Sequence, residues 1–193
     1  IQTMMLDLRQ TKAHSLNGNA FTDILFSDEL KFTFNAATSV FGQRYFTSGN
    51  PFYGWGIEEK GNISVYHYRT TTLNLQQLLN YNHTFGDSHN FSALLGHEYY
   101  KYNYVLLSAS KKNMFSYWGN HELGGAVIDG KEANSYANNY NTEGYFFRGL
   151  YDYNGKYFAS ASFRRDASSR FHPKHRWGNF YSLGGAYLIS NEE

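Results

Sequence analysis

From Leu73 to Thr84 the residue character alternates along the chain. Odd positions read Leu73, Leu75, Gln77, Leu79, Tyr81 and His83; even positions read Asn74, Gln76, Leu78, Asn80, Asn82 and Thr84. The period is two, with one lapse on each face, which predicts a strand with one greasy and one wet side. About 11 residues at ~3.3 Å each, tilted by ~40°, span on the order of 28 Å, the thickness of a bilayer's hydrocarbon core.

The run ends at "TFGDSHN", a tight turn by composition, after which Phe91, Ala93, Leu95 and Tyr99 alternate with Ser92, Gly96 and Glu98. A second hairpin is predicted where "GYFFRGLYDY" meets Asn154-Gly155, a preferred type I′ pair, and "KYFASASF" leaves it. There Tyr157, Ala159, Ala161 and Phe163 face one way and Lys156, Ser160, Ser162 and Arg164 the other. Downstream, Trp177, Tyr181, Leu183, Tyr187 and Ile189 form one face of a further strand, opposite Gly178, Ser182, Gly184 and Ser190. Small residues on that inner face leave room beneath the wall. Upstream, "ELKFTFNAATSVF" predicts a strand over 29–41, paired through "FSDE" with "NAFTDIL".

The connections "FSDE", "FGDSH" and "NG" are short, whereas 42–62, 108–141 and 167–176 are long, and the two kinds alternate. A transmembrane up-and-down barrel has short turns on one rim and long loops on the other. Both prolines, Pro51 and Pro173, fall in the long connections, where no ladder hydrogen bond is lost. The stretch 108–141 has little period, with one further strand expected near 114–122.

Composition sharpens this picture. Aromatic residues make up 19% of the chain, with 18 Tyr and 16 Phe, although only 41% is hydrophobic; that suits strands with two unlike faces. Lys and Arg total 17 against 16 Asp and Glu, a net charge of +1, which provides no field that would favour nucleic acid. The chain has no cysteine, which excludes disulfides, thiolate metal sites and cysteine nucleophiles. Its longest apolar runs, such as "YVLL" at 104–107, fall far below the roughly 18 residues of a membrane-spanning helix. The sequence opens at Ile1 without an initiator Met or signal segment and stops at "SNEE", so both ends are expected to be cuts in a longer protein.

Several spaced strings resemble the SusC/RagA-like branch of TonB-dependent outer-membrane transporters: "LNYNHTFGDSHNFSALLGHE" at 79–98, "YDYNGKYFASASFRRDASSRF" at 151–171, "RWGNFYSLGGAYLISNE" at 176–192 and, more loosely, "NPFYG" at 50–54. One departure is Ala167, where the family usually has Gly after the Asp. The resemblance implies an all-β fold: an antiparallel up-and-down meander of about seven to eight strands, residues 1–193 forming part of a transmembrane barrel of the 22-strand class. The signal peptide, TonB-interacting segment, plug and remaining strands would lie elsewhere. It further implies import of glycan or peptide cargo across a bacterial outer membrane, a SusD-like surface lipoprotein as partner, contact with outer-membrane lipid, and coupling to the TonB complex. No cofactor, metal or nucleic acid is implied. So few strands could not close at that diameter, so an open sheet, or one paired with copies of itself, is expected.

Candidate site residues follow from position. In "FRRDASSRF", at 163–171, alternation points Arg164 and Asp166 to the lumen and Arg165 to the membrane interface, where a cation can meet anionic head groups. Arg164, Asp166 and Arg170 could contact cargo or plug, but wall charges more often pair with neighbouring strands and fix register at the rim. Trp55, Tyr117 and Trp118 lie in long connections, where flat rings can stack on sugar faces or clamp a peptide; Trp177, at a strand start, is expected in an aromatic girdle. The H-x-x-H of His172 and His175 lacks helical context and a third ligand, so no metal site is expected. Glu58, Glu59, Glu122, Asp129 and Glu132 offer no spacing that selects a catalytic pair, so no enzymatic activity is expected. The rival reading is a soluble β-sandwich that binds carbohydrate through loop aromatics; an all-β glycoside hydrolase ranks last.

Overall fold

A computed structural model describes residues 6–130 and 133–189. They form one eight-stranded sheet: β1 (Leu8–Leu25), β2 (Leu30–Gly49), β3 (Asn62–Phe85), β4 (His89–Met114), β5 (Ala126–Asp129), β6 (Asn134–Tyr153), β7 (Tyr157–Ser168) and β8 (Trp177–Tyr187). The order is β1-β2-β3-β4-β6-β7-β8, with short β5 paired antiparallel to the end of β4. Each long strand therefore lies beside its neighbour in sequence, the meander that the alternating turn signals predict. A sandwich needs a second packed sheet, and the described residues form one.

The turn chemistry explains the short connections. Asn154 and Gly155 both adopt positive φ, 54° and 62°, and the Lys156 amide closes the turn on the Tyr153 carbonyl at 3.0 Å. Positive φ at both central positions defines type I′, whose twist matches the flanking strands. The register that it sets runs from Tyr153↔Tyr157 to Thr142↔Ser168 without a slip.

Across β6, β7 and β8 that register builds two unlike faces. One carries the rows Tyr153–Tyr157–Tyr187, Gly149–Ala161–Leu183, Phe147–Phe163–Tyr181 and Tyr145–Arg165–Asn179. The other carries Leu150–Ser160–Gly184, Arg148–Ser162–Ser182, Phe146–Arg164–Phe180 and Gly144–Asp166–Gly178. Tyr181 and Leu183, on the first face, are 83% and 84% exposed. Apolar area left in water forgoes about 25 cal/mol per Å² of burial energy, so such a face requires an apolar surrounding. From the Tyr157 row to Trp177, the partner of Ala167, is ten residues along β7. At ~3.3 Å per residue and a ~40° tilt that is about 25 Å, the height of the outward band of a membrane barrel.

The residues cluster into two compact units. One takes the chain up to Leu16 with Ser39–Thr71 and Asn103–Asn139; the other takes Asn17–Thr38, Thr72–Tyr102 and the chain from Tyr140 onward. The first contains the buried core found among the described residues, Phe46, Ile63 and Ala126, flanked by Val65, Met114 and Leu123.

Four expectations require correction. The strand placed at 29–41 continues to Gly49, which shortens the connection to 50–61, and the strand expected over "NAFTDIL" starts at Leu8. No strand occupies 115–122; β4 runs on to Met114, the extra strand is Ala126–Asp129, and β6 begins at Asn134. These polar extensions are held by main-chain ladders, which need no apolar face and leave no period in the sequence. Ile189 lies beyond the end of β8 at Tyr187, while Ser190 and Glu132 fall outside the described residues.

Candidate functional site

The lumen-side charges of "FRRDASSRF" belong to a network within the second unit. Arg164 Nε donates to both Asp166 oxygens, at 2.7 and 2.8 Å, and its Nη2 donates to Glu98 Oε2 at 3.3 Å. Glu98 Oε1 accepts from Gln76 Nε2 at 3.4 Å, and Gln76 Oε1 from Asn35 Nδ2 at 3.5 Å. The chain of polar groups thus runs from β7 to β2. To reach β4, Arg164 must cross β6, and it does so over Gly144, where a Cβ would fall 2.4 Å from Asp166 Oδ1 and 3.1 Å from Arg164 Nη2. The guanidinium also lies 5.3 Å above the Phe146 ring. Arg170 is not part of this network; it stacks on Tyr140 at 4.2 Å. A cavity of about 540 Å³ beside the network is lined by Glu98, Tyr100, Arg164, Asp166, Arg176 and Phe180 among others. Arg165 points to the opposite face, 5.0 Å over Trp177, as strand alternation requires.

The ring candidates lie in the first unit and divide into two groups. Tyr117 and Trp118 pack edge to face at 4.8 Å, and Phe52 joins them at 5.6 and 6.4 Å. The Tyr117 hydroxyl donates to the Leu6 carbonyl. Burial first, then the Asp7 carboxylate and Tyr53, push the Tyr117 phenol above its ordinary value, so it stays a neutral donor. Trp118 is 77% exposed and free to meet a ligand. Trp55 sits apart, its ring packed where a Cβ on Gly49 would approach within 2.8 Å. It lines a second cavity, of about 600 Å³, with Asn62, Tyr66, Ser108, Lys112 and Asn134 among others. An aromatic wall beside amides, hydroxyls and a cation can stack on a ring and hydrogen-bond its edges.

Asp7 ties this region down. It accepts from Asn50 N at 3.0 Å and Asn50 Nδ2 at 2.8 Å. Burial pushes its carboxyl up, but the hydrogen bonds from Asn50 and Trp55 and the Arg9 charge outweigh that and hold it below the usual value. Tyr117 and Trp55 are therefore partly structural, whereas Trp118 has a side chain to spare.

Three of the candidate carboxylates are engaged as ion pairs. Glu59 meets Lys112 at 2.5 Å, Glu122 meets Arg44 at 2.5 Å, and Asp129 meets Lys111 at 4.0 Å. His172 Nδ1 accepts from the Lys174 amide at 3.4 Å, a cap on a short helical turn. Sequence reasoning missed Glu98, Gly144, Phe52 and Asp7. The first two gain meaning only through cross-strand register, and the last two through loop packing, which no local spacing encodes.

No family model matches the chain. TonB-dependent receptor P3 of Formosa agariphila is 30% identical over 203 aligned positions, which take in 100% of this chain and 19% of that protein. TonB-dependent receptor P39 of the same organism is 33% identical over 121 residues, 61% of this chain and 11% of the relative. The chain thus spans less than a fifth of the length of these relatives. In fold it matches the RagAB peptide transporter at a TM-score of 0.89 and 24% identity, over 97% of this chain and 21% of that one. The RagAB peptide importer in its 'open-open' state gives 0.86 and 23%, over the same shares. With short and long connections in alternation and a sheet of sequence neighbours, the chain has the fold of a segment of β-barrel wall, and in sequence it is similar to TonB-dependent receptors.

Proposed function

We propose that the whole of residues 1–193 forms barrel wall in an outer-membrane importer that takes up glycans or peptides, energised through TonB and served by a SusD-like surface lipoprotein. The observation that carries this is the pairing of an outward belt, Phe147–Phe163–Tyr181 and Gly149–Ala161–Leu183, with an inner face of Ser162, Ser182, Gly184 and paired charges. Such a wall lets lipid contact one side and polar solute the other. Support for import comes from the relatives, both TonB-dependent receptors, and from the fold neighbours, a peptide transporter and importer. In this role Trp118, backed by Tyr117, and, in its own cavity, Trp55 contact cargo, while Arg164, Asp166 and Arg170 stiffen the wall. The segment performs no chemistry of its own.

The test is to delete the gene for the full-length protein and follow uptake of labelled oligosaccharides and oligopeptides by intact cells. Loss of uptake of one class, with the protein in the outer-membrane fraction beside a co-purifying lipoprotein, is the expected result. A soluble protein, or unchanged uptake of both classes, overturns the reading.

A further inference from the structure

Arg164 and Arg165 are consecutive, yet their surroundings differ. Arg164 has two carboxylates within reach; Arg165, on the outward face, makes no ion pair among the described residues. Glu143, an acidic group on that face one row along the ladder, is already engaged: it accepts from the Tyr145 hydroxyl at 2.8 Å and faces His97 Nε2 at 3.1 Å. His97 is held in turn by Gln77 Oε1, 2.5 Å from its Nδ1. Arg165 instead lies 5.0 Å over the Trp177 ring, which stacks on Tyr145 at 6.0 Å. Its neighbour on β8 is Asn179, an amide with donors to offer.

The depth of this cluster matters. Arg165 stands one pleat pair below Trp177 at the upper edge of the outward belt, and the next row down is Phe147–Phe163–Tyr181. A cation there has hydrocarbon beneath it and head groups at its own level, so its guanidinium reaches up to the interface. A planar guanidinium with its carboxylates taken, backed by indole, is suited to a phosphate oxygen pair.

We propose that Arg165, Trp177 and Asn179 form an outward site for the phosphate of an anionic glycolipid in the surrounding outer leaflet. The proposal rests on the membrane placement argued above. It assigns the cluster a partner other than cargo: a lipid that seats the wall at one height. The Glu143–His97 pair keeps the neighbouring carboxylate from competing for Arg165.

The experiment uses the full-length receptor in nanodiscs of phosphatidylcholine, alone or doped with bis-phosphorylated lipid A or its dephosphorylated form. Retained lipid is counted by native mass spectrometry and stability by thermal melting. Phosphorylated lipid A is expected to be retained and to raise the melting temperature, the dephosphorylated form not. In Arg165→Gln retention falls about fivefold or more, the loss of one charge-assisted contact. Arg165→Lys keeps part of it, and Arg148→Gln, on the inner face, leaves it unchanged. Equal retention by Arg165→Gln, equal retention of the dephosphorylated lipid, or full competition by inorganic phosphate overturns the site. Should Arg165→Gln not insert, the lipid comparison on the unmodified protein and Arg165→Lys still decide. A receptor that never enters the membrane would instead overturn the importer reading itself.

Discussion

Arg164 reaches Glu98 across an intervening strand, with 3.3 Å between Nη2 and Oε2, because the residue beneath its side chain is Gly144. The glycine is not needed for backbone freedom there; its φ is not positive. It is needed for space.

Gly144→Val should therefore be destabilising, since a Cβ would sit 2.4 Å from Asp166 Oδ1. Overpacking of this kind costs roughly 1–3 kcal/mol. Melting of the full-length protein in detergent should shift down, and Gly149→Val, on the outward face, should shift it less. Equal shifts would mean that the Arg164 crossing does not matter.

The Arg164–Glu98 pair is half exposed, so its direct worth is small. A double-mutant cycle with Arg164→Gln and Glu98→Gln should give a coupling within about 0.2–1 kcal/mol. A value well above that range would show that the ladder through Gln76 and Asn35 acts as one cooperative unit.

In the turn, Gly155→Ala should destabilise by roughly 1 kcal/mol, because an alanine at φ 62° is strained in the left-handed region. The strain falls at the hairpin tip, so refolding into lipid should slow more than unfolding accelerates. Kinetics followed by heat-modifiable gel mobility would separate the two rates.

Acid should loosen the connection 50–61. Glu59 is held below its usual value of 4.5, first by Asn62, then by Lys112, against the opposing effect of burial. A carboxyl depressed in the folded state stabilises it above pH about 4.5 and loses that contribution as pH falls through the folded value. Protease cleavage in this connection should rise on acidification, and Lys112→Met should show weaker pH dependence with more cleavage at neutral pH.

Trp118→Ala should weaken cargo uptake with no change in melting, since the ring is largely exposed. Tyr117→Phe should do the reverse: loss of the hydrogen bond to Leu6 costs about 0.5–1.5 kcal/mol, with uptake kept. Both uptake and melting are read on the same preparations.

The parts of the fold visible in the sequence were those where lipid imposes a period. Leu73–Thr84 and the stretches flanking Asn154-Gly155 alternate because one face is apolar, and both fold as strands. Strand ends outside that belt, such as Thr47–Gly49 in β2 and Asn134–Asn139 in β6, are mostly polar or small, and their ladder partners make them strands. The site was visible to the same degree. Alternation separated Arg164 and Asp166 from Arg165, but nothing local could show that Glu98, 66 residues away, lies opposite Arg164. The rings Tyr117 and Trp118 were apparent as a pair; that Tyr117 anchors Leu6 depends on a contact spanning 111 residues.

Among the hairpins, β6 and β7 form twelve paired positions around a turn whose two central residues, Asn154 and Gly155, fix its twist. Loop closure entropy grows with length, so this hairpin and the β3–β4 hairpin, each closed across three residues, form at the smallest entropic cost, and β8 then adds across an eight-residue connection, 169–176. Pairing β4 with β6 has to bring together strands separated by the longer connection 115–133. The sheet thus has two kinds of seam: hairpins such as β3–β4 and β6–β7 that can close locally and early, and joints such as β4–β6 whose closure waits on a long connection.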